Sequence, residues 1–360
     1  MIDLFVVTGY LGSGKSTLLR NLLRAHRFED SALVINELGV VPIDHHLISF
    51  ADERTIVLPG GCICCARRED IEKSLGELLE CRDRGSIPPF RRVIIETTGA
   101  ADPVPLLATL IRSPTVRQRF SHPVMITVVD GELGLGNLSV SVDACSQVVQ
   151  ADRVIVSKAD IAPPSRVAET SRRIQSLNPG VAIVCANLLT ADLAAAFEYS
   201  DAAHAHFALQ RMIDANIRSA CPATHGPLTT RSVVLDEKLN WNGFAAWATL
   251  LLHRHGNRLL RIKGVLRTES SDRAIIFQTV QHLVHEPLHL EERPDADRRS
   301  RLVFVARDLD LAKVEASLRA FQTAALRITH QPADRKPIGA GGVIGGHPVR
   351  KPNVPAWIKG

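Results

Sequence analysis

The sequence predicts an α/β fold: a mainly parallel sheet covered by helices on both faces, followed by a small α+β domain. Three observations predict it. Apolar, β-branched runs alternate with helical periodicity through the first half of the chain. A glycine-rich loop separates the first apolar run from the first helix. After a weakly patterned stretch, several strand-like runs follow one another with a helix near each end. The chain has 360 residues, more than one domain of about 150.

The first strand is read at Asp3–Thr8, the loop at Gly9–Lys15 and the first helix at Ser16–Ala25. Further strands are expected at Ser31–Asn36, Arg92–Glu96, Pro123–Asp130, Arg153–Ser157 and Val181–Cys185. Helices are expected between them at Arg68–Arg82, Val104–Ile111, Asp143–Gln150 and Arg166–Leu177. Residues 1–200 make this first domain. Residues 201–229, Ala-rich and polar with Pro222, Gly226 and Pro227, read as a linker. The second domain, 230–328, begins with a strand at Arg231–Asp236 and a helix at Trp241–Arg254. Strands at Leu259–Arg267, Ala274–Val284 and Arg301–Ala306 and a helix at Leu311–Ala325 complete it. Residues 329–360 are rich in Gly and Pro and are expected to form a flexible tail.

Composition narrows the function. Apolar residues make up 45% and charged residues 22%, as in an ordinary soluble domain. The formal charge is +5 and only 4% of residues are aromatic, which argues against a nucleic-acid surface built on base stacking. No run approaches the ~18 apolar residues of a membrane span. Met1-Ile2-Asp3-Leu4 lacks the basic region of a signal peptide. The expectation is a cytoplasmic protein whose 7 Cys are mostly reduced, so that clustered Cys read as metal-binding or catalytic.

Gly9-Tyr10-Leu11-Gly12-Ser13-Gly14-Lys15-Ser16-Thr17 fits G-x-x-x-x-G-K-[ST] between a strand and a helix. Its glycines let backbone N–H groups ring the phosphates, Lys15 reaches the β- and γ-phosphates, and Ser16 offers its hydroxyl to Mg²⁺. Ser157-Lys158-Ala159-Asp160 ends a strand as S-K-x-D. A carboxylate at Asp160 can accept both N–H donors on guanine's edge, which adenine does not present. The Lys158 stem would cover the base. Glu96-Thr97-Thr98-Gly99 places an acid at a strand end, suited to the Mg²⁺ shell, and a glycine whose N–H can reach the γ-phosphate. No Gln follows Gly99 to orient water, so slow intrinsic GTP hydrolysis to GDP and phosphate is expected.

Gly60-Gly61-Cys62-Ile63-Cys64-Cys65 gathers three thiols, suited to Zn²⁺, Cu(I) or Co²⁺. No further Cys or His lies within ten residues, which suits transient holding rather than structural support. Cys81, Cys145, Cys185 and Cys221 stand singly and read as buried small apolar residues. His204, His206 and His225 read as solvated. His282, His285 and His289, interrupted by Pro287, read as structural or surface residues rather than ligands. Arg298-Arg299 reads as a solvated loop.

With these motifs together, the sequence resembles the CobW-type metal-chaperone GTPases, relatives of the urease and hydrogenase nickel-insertion GTPases. The carriers are GYLGSGKST at 9–17, NELGVVPID at 36–44, GGCICC at 60–65, ETTGAADP at 96–103 and SKAD at 157–160. LLRIKGVL at 259–266, FQTVQHL at 277–283 and RLVFVARDLD at 301–310 resemble the family's C-terminal module. The resemblance implies a GTPase, with GTP/GDP and Mg²⁺, that binds a divalent metal, most often Zn²⁺ and sometimes Co²⁺, and hands it to a client metalloprotein. It puts the metal on Cys62, Cys64 and Cys65, and brings Glu37 and Asp44 towards the Mg²⁺ or transferred-metal region. The family's second Glu and its Gly in the 36–44 segment are replaced by Val40 and Pro42. A second copy of the chain is a further candidate partner. Other readings are a cobalt-handling member in cobalamin biosynthesis, a metal-responsive regulatory protein without turnover, and a small-molecule kinase, against which the S-K-x-D motif argues.

Overall fold

The computed structural model describes residues 1–24, 28–35, 55–57, 68–188, 193–198, 218–219, 228–290 and 297–329. Strands β1 (Asp3–Thr8), β2 (Ser31–Ile35), β3 (Thr55–Val57), β4 (Arg92–Glu96), β5 (Val124–Asp130), β6 (Arg153–Ser157) and β7 (Ala182–Cys185) form one sheet in the order β3-β2-β4-β1-β5-β6-β7. Every pairing in it is parallel. The central strands are buried on both faces, which is why β5 reads VMITVVD with no polar alternation before its end. Each Leu, Ile, Val or Phe sunk in this core contributes roughly 1.5–3 kcal/mol relative to exposure.

Helices α1 (Lys15–Arg24), α2 (Arg68–Asp83), α3 (Val104–Arg112), α4 (Pro114–Arg119), α5 (Gly134–Val140), α6 (Val142–Gln150) and α7 (Pro164–Leu177) connect these strands. Leu75 and Leu78 of α2 and Leu106 and Leu110 of α3 pack on one side with Leu4, Val6 and Ile95. Leu18, Leu19 and Leu22 of α1 pack on Phe5, Val7 and Ile94. The alternation of sides within β1 is the period-2 geometry of a strand.

The second sheet is antiparallel: β12 (Leu283–Val284), β11 (Ile275–Val280), β10 (Leu259–Leu266), β14 (Ser300–Arg307), β9 (Leu228–Leu235) and β8 (Arg218–Ser219), with β13 (Leu288–His289) beside β11. Helices α8 (Trp241–His255) and α9 (Leu311–Thr329) cover it, burying Phe244, Trp247, Leu311 and Leu318 against Ile262, Phe277 and Phe304.

Four details depart from the sequence expectations. The single strand expected at Ala274–Val284 is a hairpin, in which β11 and β12 pair antiparallel across Gln281 at φ +51°. Both arms bury apolar residues, so the apolar pattern runs unbroken over the turn. The segments β3, α4 and α5, of three, six and seven residues, are too short to show a period. Within the stretch read as a linker, Arg218–Ser219 pairs with Leu228 and Thr229. Cys145 is buried as expected, but Cys185 at the end of the edge strand β7 is exposed and Cys81 is half-buried. Cys221 lies outside the described residues.

The two sheets share apolar packing. Val148, Val149 and Ala151 at the end of α6 join Leu260, Val303 and Val305 in one cluster. Beside it, the Arg261 guanidinium meets the Gln150 carbonyl and the Asp152 carboxylate. His285 of the second domain is buried against His122 of the first, their ring centroids 4.2 Å apart.

Candidate functional site

The C-terminal ends of parallel strands collect the loops that bind ligands in open α/β sheets. Here the ends of β1, β4 and β6 carry the sequence motifs, and the end of β5 lies between those of β1 and β6. The register puts Val7 of β1 beside Glu96 of β4, and Asp130 of β5 beside Ser157 of β6.

The loop between β1 and α1 turns on Gly9 (φ +149°), Gly12 (φ +73°) and Gly14 (φ +95°). A Cβ on Gly9 would stand 2.3 Å from the Val128 carbonyl oxygen of β5, so only glycine lets the loop leave the sheet there. Lys15, the first residue of α1, is buried, and its Nζ donates to the Gly9 carbonyl at 2.7 Å. Burial pushes its ammonium below the usual lysine value, and Glu96 partly offsets this. The loop carbonyls and Glu96 thus hold a cation at the mouth of a helix N-terminus, where backbone N–H groups favour anions.

Ser16 Oγ donates to Glu96 Oε1 at 3.1 Å, 80 residues away in sequence. A hydroxyl and a carboxylate facing one another at the mouth of a phosphate loop are hard oxygen donors, and this pair fits Mg²⁺, which takes one or two protein oxygens and keeps water and phosphate for the rest. Behind Glu96, Thr97 Oγ1 donates to Thr8 Oγ1 at 2.8 Å, fixing the end of β4 to the end of β1. Gly99 then approaches the loop itself: a Cβ there would stand 2.9 Å from the Leu11 backbone nitrogen.

The S-K-x-D motif is docked directly on the phosphate loop. Ser157 Oγ donates to the Ser13 carbonyl at 2.7 Å, and Lys158 Nζ donates to the Gly12 carbonyl at 3.1 Å. Lys158 also meets Asp130 Oδ2 at 2.6 Å. Burial raises the Asp130 carboxyl, but Lys158 and the backbone amides of Leu133 and Glu132 outweigh it and hold the group below the usual carboxylate range. Lys158 sits at φ +54°, a conformation L side chains disfavour, and its two hydrogen bonds hold it there. Asp160 lies exposed in the turn that follows.

Sequence reasoning missed Asp130 and Gln147. Asp130 was legible as a strand-end acid, yet its partner Lys158 is 28 residues on. Gln147 is fully buried in α6, and its Nε2 donates to the carbonyls of Gly99 at 3.2 Å and Ala101 at 3.1 Å. No sequence signal marks it.

The structure therefore brings together Gly9, Gly12, Ser13, Gly14, Lys15, Ser16, Glu96, Gly99, Ser157 and Lys158, with Thr17 following in α1 and Asp160 one turn beyond. Glu37, Asp44, Cys62, Cys64 and Cys65 lie outside the described residues. Among the described residues, no group of three or more His, Cys, Asp or Glu side chains is placed to hold a metal ion. No described helix is long and apolar enough to cross a membrane.

The chain is similar to known proteins over most of its length. Residues 3–185 match the model of the CobW/HypB/UreG nucleotide-binding domain. Residues 228–322 match that of the cobalamin synthesis protein cobW C-terminal domain. The chain is 30% identical over 325 residues to the zinc chaperone YjiA of Escherichia coli K12, covering 88% of this chain and 97% of that protein. It is 23% identical over 352 residues to zinc-regulated GTPase metalloprotein activator 1 of Schizosaccharomyces pombe, covering 86% and 83% of the two chains. The crystal structure of Zn(II)-bound YjiA GTPase from E. coli superposes with a TM-score of 0.65 at 26% identity, over 89% of this chain and 98% of that one.

Proposed function

This chain belongs to the CobW/HypB/UreG family, and from that premise we propose that it is a GTP-hydrolysing metal chaperone that carries a divalent cation, zinc first, to a client metalloprotein. The observation that carries the nucleotide half is the docking of Ser157 and Lys158 on the carbonyls of Ser13 and Gly12. These two bonds hold the S-K-x-D turn against the phosphate loop. The metal half is supported by the three thiols at 62–65 and by two relatives whose names state zinc.

In this reading the loop amides of Gly12–Lys15 and the α1 N-terminus receive the phosphates, and Lys15 Nζ leaves the Gly9 carbonyl for the β- and γ-oxygens. Asp160 accepts from guanine N1–H and N2–H, and Lys158 lies over the ring. Ser16 and Glu96 would hold Mg²⁺, which supplies charge neutralisation on the transferred phosphoryl group. Gly99 N–H donates to the γ-phosphate and loses that acceptor when the phosphate leaves. The Cys62, Cys64 and Cys65 thiolates hold the cargo, with Glu37 and Asp44 in the segment between loop and thiols. The thiol loop lies in sequence between Asn36–Asp44 and Gly99, so the γ-phosphate contacts and the thiol geometry move together. Delivery follows hydrolysis, to a client docked on the second domain.

The test is a zinc competition titration of the full chain with Mg²⁺ and either a non-hydrolysable GTP analogue or GDP. Zinc affinity is expected to differ between the two states by about 5–150-fold, an ordinary coupling of about 1–3 kcal/mol. The difference is expected to vanish in Cys64→Ala. Equal affinities in the native protein would sink the coupling. Undetectable hydrolysis under every metal would instead leave a nucleotide-gated metal sensor.

A further inference from the structure

The segment after Gly99 is held along α6. Gln147 Nε2 binds the carbonyls of Gly99 and Ala101. Asp102 Oδ1 accepts from Ser146 Oγ at 3.3 Å, and Ser146 in turn accepts from Gln150 Nε2 at 2.9 Å. The same helix ends in the contact with the second domain. Its last residue, Gln150, gives its carbonyl to Arg261, and Asp152, two residues on, gives its carboxylate to Arg261 and lies 3.6 Å from Lys263 Nζ. Asp152 is fixed to β5 as well: its backbone N–H donates to the Met125 carbonyl at 2.8 Å, and its side-chain Oδ2 accepts from Met125 N–H at 2.9 Å. One short helix therefore touches the candidate γ-phosphate sensor along its side and the second domain at its end.

Two features make this a lever rather than padding. Gln147 Oε1 is buried with no hydrogen-bond partner among the described residues, so its side chain is held by the two carbonyls it serves and would follow them. Arg261 is buried in the domain contact, where losing the Asp152 carboxylate would leave an uncompensated buried charge.

We propose that Gln147 and Arg261 are positioning residues at the two ends of one link: Gln147 holds the Gly99–Asp102 segment, Arg261 fastens the end of the same helix to the second domain, and nucleotide state and domain contact bias each other. This inference rests on the nucleotide-switch reading above and adds the route to the client-binding domain. Linkage is reciprocal, so if the γ-phosphate biases the contact, the contact must bias γ-phosphate affinity by the same factor.

The experiment measures the affinities of the full-length protein for fluorescent GDP and a fluorescent imido analogue of GTP, both with Mg²⁺. The chains are native, Gln147→Leu, Arg261→Gln and the double variant. The ratio of the two affinities is expected to shift about 5-fold or more in each single variant. The double variant is expected to shift no further than the larger single one, because both cut the same link. A ratio in Arg261→Gln within twofold of native, or a double shift equal to the product of the singles, overturns the inference. If Arg261→Gln does not fold, Arg261→Lys, which keeps the charge opposite Asp152 but cannot serve both acceptors as a fork does, is read by the same criterion. A native protein that binds no guanine nucleotide overturns the functional reading itself. Binding with an unmoved ratio overturns only the link.

Discussion

Asp160 is a single exposed carboxylate in a turn, and under the proposed function it chooses the base. A carboxylate offers two acceptors, matching two N–H donors. An amide offers one acceptor and one donor, matching the N1–H and O2 of xanthine. Asp160→Asn is therefore expected to weaken GDP binding by about 100-fold or more and to bind xanthosine diphosphate better than GDP. Unchanged GDP affinity would place base recognition elsewhere. Lys158, two residues before, was read in the sequence as a cover for the base. The structure gives it further work: pinned to Gly12 and Asp130, it fixes the turn that carries Asp160. That contact was hidden because Asp130 belongs to a neighbouring strand.

At the scale of elements, α8 shows how local chemistry sets a boundary. Asn240 Oδ1 accepts from Gly243 N–H at 3.0 Å, closing the first turn. Its Nδ2 donates to Glu269 at 3.0 Å, and its own N–H donates to Gln322 Oε1 at 2.8 Å on α9. Gly243 sits where α8 crosses α9, since a Cβ there would stand 2.6 Å from that of Ala325. Asn240→Ala is expected to cost about 1–2 kcal/mol in urea unfolding at an unchanged slope. A loss within about 0.5 kcal/mol, the scatter of ordinary surface changes, would show that the cap is replaceable. The helix itself was legible, expected at Trp241–Arg254 and found at Trp241–His255. The split of Ala274–Val284 was not, because Gln281 is an unusual residue for a left-handed turn.

At the scale of the whole molecule, the contact between domains carries buried charge. Burial pushes the Lys263 ammonium from 10.5 down to about 7, with Arg261 pushing the same way and Asp152 opposing. Between those two pH values the unfolded chain holds a proton that the folded chain lacks. Stability from this group therefore rises with pH from about 7 upwards, by at most about 1.4 kcal/mol per unit, and is flat below. His285 is held well below the usual histidine value by burial, then by His122 and Arg261, with Asp152 opposing. Denaturation midpoints of native protein and Lys263→Met between pH 7 and 9 are expected to diverge, the native curve climbing more steeply. Parallel curves would show that Lys263 keeps its proton in the contact.

The sequence by itself determined the phosphate loop, the strand-end acid, the S-K-x-D turn and the order of the longer strands and helices, because each is written in contiguous residues whose chemistry and periodicity act locally. Tertiary structure alone decided which of them touch. Gln147 finds Gly99 across 48 residues, Arg261 finds Asp152 across 109, and His285 finds His122 across 163. Such pairs follow from how helices and sheets stack on a shared apolar core, and no local pattern records the partner that packing supplies.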